Sequence, residues 1–286
     1  MEKADWDSSK SSWTVTTKDA DTGERQEMET RVLVAATGYY DQDKGYMPDY
    51  PGADEFEGSI VHPQHWPDDL DFSDKKVVVI GSGATAATVV PAMAGIASHV
   101  TMLQRSPSYY FPVTLLDPVF TITRPFVSTR LAARMARGRN QRMQYLLFKA
   151  CRRWPNFMRR FLLRHVEKEL GSDVDMRHFT PRYAPWDERV CVLPNDDLLH
   201  AVRSDYASVV TDTIERFTPG GIRLSSGEEL EADIIVSATG FNLRVFGRID
   251  VSVDGEPRPP SDLMIYKGIL VENTPNLAVV FGYINF

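Results

Sequence analysis

Cysteine is almost missing from this chain: Cys151 and Cys191 are the only two in 286 residues, far apart and outside any CxxC pair. Their scarcity argues against a disulfide framework, a zinc cluster or a dithiol redox centre, and points to a reducing, cytoplasmic setting with no metal site. An excess of positive charge is also missing. The formal net charge of -7 gives no reason to expect nucleic acid. No stretch approaches the roughly 18 apolar residues that a membrane span needs. The opening MEKADWDSSKSSW is polar, with no apolar core of a signal peptide, so a soluble protein is expected. What is present is a hydrophobic content of 43%, enough to fill the core of one large or two ordinary domains.

Two distant segments follow one plan. The first runs WTVTT, a turn at Asp21-Thr22-Gly23, a polar strand and RVLVAATGYY; the second runs ERFT, a turn at Pro219-Gly220-Gly221, IRLSS, a turn at Gly227 and DIIVSATGFN. Each is a short meander ending in an apolar strand, which predicts a strand buried on both faces of a parallel sheet. Each strand stops at Ala-Thr-Gly before an aromatic residue, placing Thr37 and Gly38 in one copy and Thr239 and Gly240 in the other. Glycine there permits an unusual φ or the close approach of a ligand or backbone. A plain tight turn is the alternative.

Between the copies, the apolar strand Val77–Ile80 enters Gly81-Ser82-Gly83-Ala84-Thr85-Ala86, after which a helix is predicted. Gly81 suits the tight turn, Gly83 lets a pyrophosphate approach the backbone, and Ala86 packs the helix closely on the strand. The phosphates would meet free N–H groups at the helix N-terminus. A GxGxxA is weak alone and gains its meaning from standing between a strand and a helix. The next strand, HVTMLQ, ends at Arg105-Ser106, where an NAD site would carry an acid. A guanidinium and a hydroxyl suit the 2′-phosphate of NADPH instead. A surface arginine after a strand is the alternative.

From about 112 to 170 the strand–helix alternation gives way to a segment rich in Arg, Leu, Phe and Met. It predicts helices broken near Gly138 and Pro155. Basic residues far outnumber acids here, although the whole chain is acidic. One reading is a lid or membrane-surface helix pair admitting apolar substrates; the other is an inserted hairpin with a solvated basic face.

The proline-rich segment before the GxGxxA reads as a connection between domains and holds Phe56, Gly58, His62 and Trp66. Taken singly, His62 suits a hydrogen-bonded structural histidine, and Trp66 a packing residue. Together their spacing, FxGxxxHxxxW, resembles the signature of Baeyer–Villiger monooxygenases. The likeness runs through nearly the whole chain, via ATGYYDQDKGY, VHPQHWPDDLDF, VVVIGSGATA, HVTMLQRSP, PWDERVCVLP and DIIVSATGF, and within the family is nearest the ethionamide-activating branch. It implies an α/β flavoprotein with two dinucleotide-binding domains, the ATG strands joining an FAD domain to a Rossmann-like NADPH domain. The implied division is 1–40 as part of the FAD domain, 41–72 as linker, 73–240 as NADPH domain and 241–286 as a return segment.

The implied activity is NADPH- and FAD-dependent insertion of one oxygen atom from O2 through a C4a-peroxyflavin, into a small apolar ketone or a sulfur-containing substrate. The resemblance also gives roles to His62 and Arg189, since a family arginine follows a tyrosine by six positions, as Arg189 follows Tyr183. A fixed charge there could stabilise an anion and hold the nicotinamide. A salt bridge from Arg189 to Asp187 or another nearby acid is the alternative. One departure stands out: the GxGxx[GA] at Gly81 is the only one present, whereas the family carries an earlier one for FAD. The chain therefore reads as a fragment with an incomplete FAD site. Two alternatives follow, a broader N- or S-oxygenating flavin monooxygenase and a noncatalytic NADP-binding fragment.

Overall fold

The computed structural model describes residues 1–280, so the last part of the apolar stretch Asn276–Phe286 lies outside the described residues. The chain divides into two compact units, residues 1–46 with 241–286 and residues 47–240.

The first unit opens on β1 (Lys3–Asp7), β2 (Ser12–Lys18) and β3 (Arg25–Thr30), an antiparallel meander. Alternation sends Ala4, Trp6, Trp13 and Val15 inward, and the Trp6 and Trp13 rings meet at 5.4 Å. Next come β4 (Leu33–Ala35) and β5 (Tyr40–Gly45). The expectation that β4 is buried on both faces fails, because Val34 is 56% exposed. Among the described residues β4 pairs with only one strand, so one of its edges has no neighbour there.

The second unit is built on a parallel sheet of β6 (Ser59–Val61), β7 (Lys76–Ile80), β8 (His99–Gln104), β11 (Ala207–Thr211) and β15 (Ile234–Ser237), in the order β11-β8-β7-β15-β6. Between β8 and β11 the chain forms β9 (Tyr109–Val113) and β10 (Val190–Pro194), a separate parallel pair. Helices α1 (Ala84–Met93) and α5 (Asp197–Arg203) share one core with Val77, Val79 and Val236. The antiparallel meander β12 (Ile214–Thr218), β13 (Gly221–Leu224) and β14 (Glu229–Glu231) shares another with Val78, Ile80 and Ile235. Being covered on both faces explains why β7 and β15 are continuously apolar.

The segment expected to link domains does not stand apart. Residues 41–46 belong to the first unit and 47–72 to the second, where β6 extends the sheet beside β15.

The basic segment forms α2 (Pro118–Thr123), α3 (Thr129–Arg153) and α4 (Pro155–Leu170). Helix α3 runs unbroken through Gly138, contrary to the predicted break. A lone glycine costs roughly 1 kcal/mol against alanine, and the Arg, Met, Gln and Leu residues around it favour helix. The break before Pro155 does occur: Trp154 leaves helical geometry and proline starts α4, where its missing N–H costs nothing. Helix α4 anchors the segment by burying Met158, Leu162, Val166 and Leu170 at four-residue spacing, each worth about 1.5–3 kcal/mol.

The chain then returns to the first unit through β16 (Phe241–Leu243), β17 (Asp250–Val253), β18 (Glu256–Pro257), β19 (Ile265–Tyr266), β20 (Leu270–Val271) and β21 (Leu277–Val279). Strand β17 pairs in parallel with β1, β21 with β4 in parallel, and β16 with β5 antiparallel. Buried Asp41 accepts a hydrogen bond from Arg244 across the β5–β16 pair. The Asp43 backbone N–H and the arginines beside it hold the Asp41 carboxyl below the usual carboxylate range.

Candidate functional site

The glycine-rich turn lies at the C-terminal end of β7, where α1 leaves toward β8 and β15 lies on the other side. This is the switch point of the sheet. Gly81 has φ +134°, and a Cβ there would sit 2.5 Å from the Ala238 carbonyl. Its absence lets the second Ala-Thr-Gly segment cross the turn. Gly83 is the N-cap of α1 and faces open space, with nothing within 4 Å of the position its Cβ would take. Ala86 is fully buried against the sheet, Ala84 is exposed and Thr85 half-buried beside the helix start. Free N–H groups, open space and a helix N-terminus together form an anion cradle.

Arg189 reaches this turn. Its Nη2 donates to Ser82 Oγ at 2.9 Å and its Nε to Ser108 Oγ at 2.8 Å. Ser82 Oγ in turn donates to the Ser106 carbonyl at 3.2 Å. The six-residue spacing from Tyr183 has a physical basis, because the Tyr183 hydroxyl donates to the Arg189 carbonyl at 3.2 Å. Asp187 pairs with Arg152, so the alternative salt bridge to Arg189 does not form. Beneath the turn, the Cys191 thiol donates to the Ser82 carbonyl, and burial pushes it above the usual thiol range.

Arg105 is exposed directly after β8, and its guanidinium engages no carboxylate among the described residues. Gln104 beside it is buried; its Nε2 donates to the His178 carbonyl at 2.6 Å and to Thr211 Oγ1 at 2.9 Å. His178 Nδ1 also meets Thr211 Oγ1 at 2.8 Å, while its Nε2 accepts from Arg177 Nε at 3.2 Å. These bonds clamp the C-terminal ends of β8 and β11. Burial, then the neighbouring Arg177 charge, depress the His178 pKa.

The motif from Phe56 to Trp66 lies on the opposite edge of the sheet. Phe56 packs edge-on against Phe217, with ring centres 6.3 Å apart, and half-buried Trp66 joins the core over α1. Gly58 allows both, since a Cβ would fall 2.2 Å from the Asp233 carbonyl and 2.5 Å from Phe56 Cζ. His62 Nε2 lies 3.0 Å from the Gly240 carbonyl, and its Nδ1 accepts from the Gln64 N–H at 3.2 Å. A carbonyl only accepts and an amide N–H only donates, which fixes the tautomer with its proton on Nε2. His62 thus ties the motif to the second ATG segment, where Gly240 has φ +102° and Thr239 bonds to Ser237. In the first unit Gly38 repeats the left-handed turn at φ +71°, and Thr37 lies beside Gly247.

One further cavity, of about 1040 Å³, opens between α2, α3 and the β9–β10 pair. Phe111, Leu115, Phe120, Leu147 and Val192 make it largely apolar, and Trp186 and Val190, flanking Arg189 in sequence, line it as well.

A doubly covered parallel sheet with GSGATA at its switch point and an exposed arginine after the next strand defines a dinucleotide-binding domain. The chain belongs to the flavin-binding monooxygenase-like family, whose sequence model matches residues 1–284. MymA of Mycobacterium tuberculosis is 52% identical over 99% of this chain and 58% of its own length. The FAD-containing monooxygenase EthA of Mycolicibacterium smegmatis is 46% identical over 99% and 57%. This chain thus spans little more than half the length of these relatives. Its fold matches solved monooxygenases. The open structure of cyclohexanone monooxygenase gives a TM-score of 0.75 at 20% identity over 98% of this chain and 62% of that one. Steroid monooxygenase bound to NADP gives 0.73 at 22% identity over 98% and 60%.

Proposed function

We propose that the second unit is the NADPH-binding domain of a monooxygenase that uses FAD and O2 to insert one oxygen atom into an apolar ketone or a sulfur-containing substrate. The observation that carries this reading is Arg189 held on Ser82 of the glycine-rich turn, which places a permanent cation beside the bed of the nucleotide.

Gly81, Gly83 and the N–H groups of Ala84 and Thr85 would hold the pyrophosphate, and Arg105 with Ser106 the 2′-phosphate. When bound, the flavin supplies the electron transfer and oxygen chemistry that protein side chains lack. This chain's residues orient and shield. Arg189 holds positive charge where the nicotinamide end would lie, and Thr239 and Gly240 border the turn. Both ring nitrogens of His62 are engaged, which favours a positioning role over acid–base work. The apolar groove beside Trp186 offers a weakly polar substrate a bed, in line with the ketone and steroid names of the matched structures. Helices α2 and α3 form one wall of that groove.

The test is nucleotide titration. Arg105→Ala should weaken NADPH on the order of 10- to 100-fold, the worth of a charge-assisted bidentate pair, and leave NADH nearly unchanged. Equal losses would remove the 2′-phosphate assignment. Arg189→Ala in FAD-loaded protein should abolish oxygenation of both ketone and sulfide probes; retained turnover would remove its role.

A further inference from the structure

Helices α2 to α4 leave a surface that the nucleotide site does not explain. Between Pro118 and Val166 the sequence holds twelve Lys and Arg residues and no Asp or Glu. Of these twelve, only Arg139 and Arg152 meet a carboxylate among the described residues. The same surface exposes large apolar side chains. Phe126 is 83% exposed, Leu116 79% and Phe157 67%. Helix α4 shows the design most clearly, because it carries two apolar stripes. Met158, Leu162, Val166 and Leu170 face the core, while Trp154, Phe157 and Phe161 at i, i+3 and i+7 face outward, with Arg160 and Arg164 beside them.

We propose that α2 to α4 dock the protein on an anionic phospholipid bilayer, with the outward aromatic residues at the acyl boundary and the arginines on lipid phosphates. A bilayer is the one occupant that offers apolar volume and dense negative charge in the same layer. A second copy would set two uncompensated cationic faces against each other. Long arginine side chains can lie along apolar surface and keep their guanidinium groups at the phosphates. The attachment is peripheral, since among the described residues no helix is long and apolar enough to cross a membrane. Docking goes beyond the oxygenation assigned above and is independent of it, because it is read without nucleotide or turnover.

The experiment is co-sedimentation of the full chain with vesicles of phosphatidylcholine alone or mixed with phosphatidylglycerol. Strong binding is expected only to the mixed vesicles, with release as salt rises from about 0.1 M to 1 M and the screening length shrinks from about 10 to 3 Å. R160Q/R164Q should lower the partition coefficient about 30-fold, at ~1 kcal/mol for each cation near the surface. F157S/F161S should lower it at least about tenfold. Brominated lipid should quench a tryptophan signal that Trp154→Phe removes. Circular dichroism checks that the variants fold, and L116S/F126S replaces any that does not. Equal binding to neutral vesicles, or binding that survives both double variants, would overturn the proposal. So would a dimer that F157S/F161S dissolves in sedimentation velocity while vesicles bind nothing.

Discussion

Gly58 and Gly83 show how differently two glycines in one unit can be constrained. A methyl on Gly58 would strike the Asp233 carbonyl and the Phe56 ring, so Gly58→Ala should cost about 1–3 kcal/mol by overpacking. Gly83 has ordinary φ and open space, so Gly83→Ala should leave stability within about 0.5 kcal/mol. Its methyl would nevertheless intrude where the pyrophosphate must approach. Urea melts and NADPH titrations of the two variants should therefore give opposite patterns; a Gly58→Ala protein as stable as the parent would refute the packing argument. The glycine-rich turn was legible in the sequence because strand, turn and helix are adjacent. The anchors of Arg189 were not, because Ser82 and Ser108 lie 107 and 81 residues away and only the fold brings them together.

At the scale of elements, the 3-10 turn Met176–Phe179 clamps β8 to β11 through His178. His178 titrates below the usual histidine range, mainly because it is buried. The unfolded chain therefore takes up this proton first as pH falls, so stability should decline from about pH 6.5 down toward the folded pKa. His178→Gln should flatten that slope in urea melts across about pH 7.5 to 5.5; an unchanged slope would assign it to other groups. Local pattern gave β7, β8, β15 and the break at Pro155 correctly. It misjudged Gly138, because one glycine is outweighed by many helix formers, and β4, because burial depends on neighbours that a strand's own residues do not name.

For the whole molecule, the two units close separate hydrophobic cores, one around Trp13 and Val253 and the others around Val79 and Phe217. Calorimetry should resolve two transitions. NADPH at a hundredfold excess over its Kd should stabilise the unit of residues 47–240 by about 2.7 kcal/mol and leave the other transition in place. A single transition, or equal shifts of both, would contradict this division.

That division has a consequence during synthesis. Strand β1 pairs with β17, so the sheet begun by the opening meander stays incomplete until Asp250 has been made. At about 5–20 residues per second, the ribosome would take roughly 12–50 s to supply that partner. Residues 47–240, contiguous and complete in themselves, would emerge and close first. The two tryptophans of the opening hairpin would meanwhile stay without their final cover, a period in which a chaperone would find them.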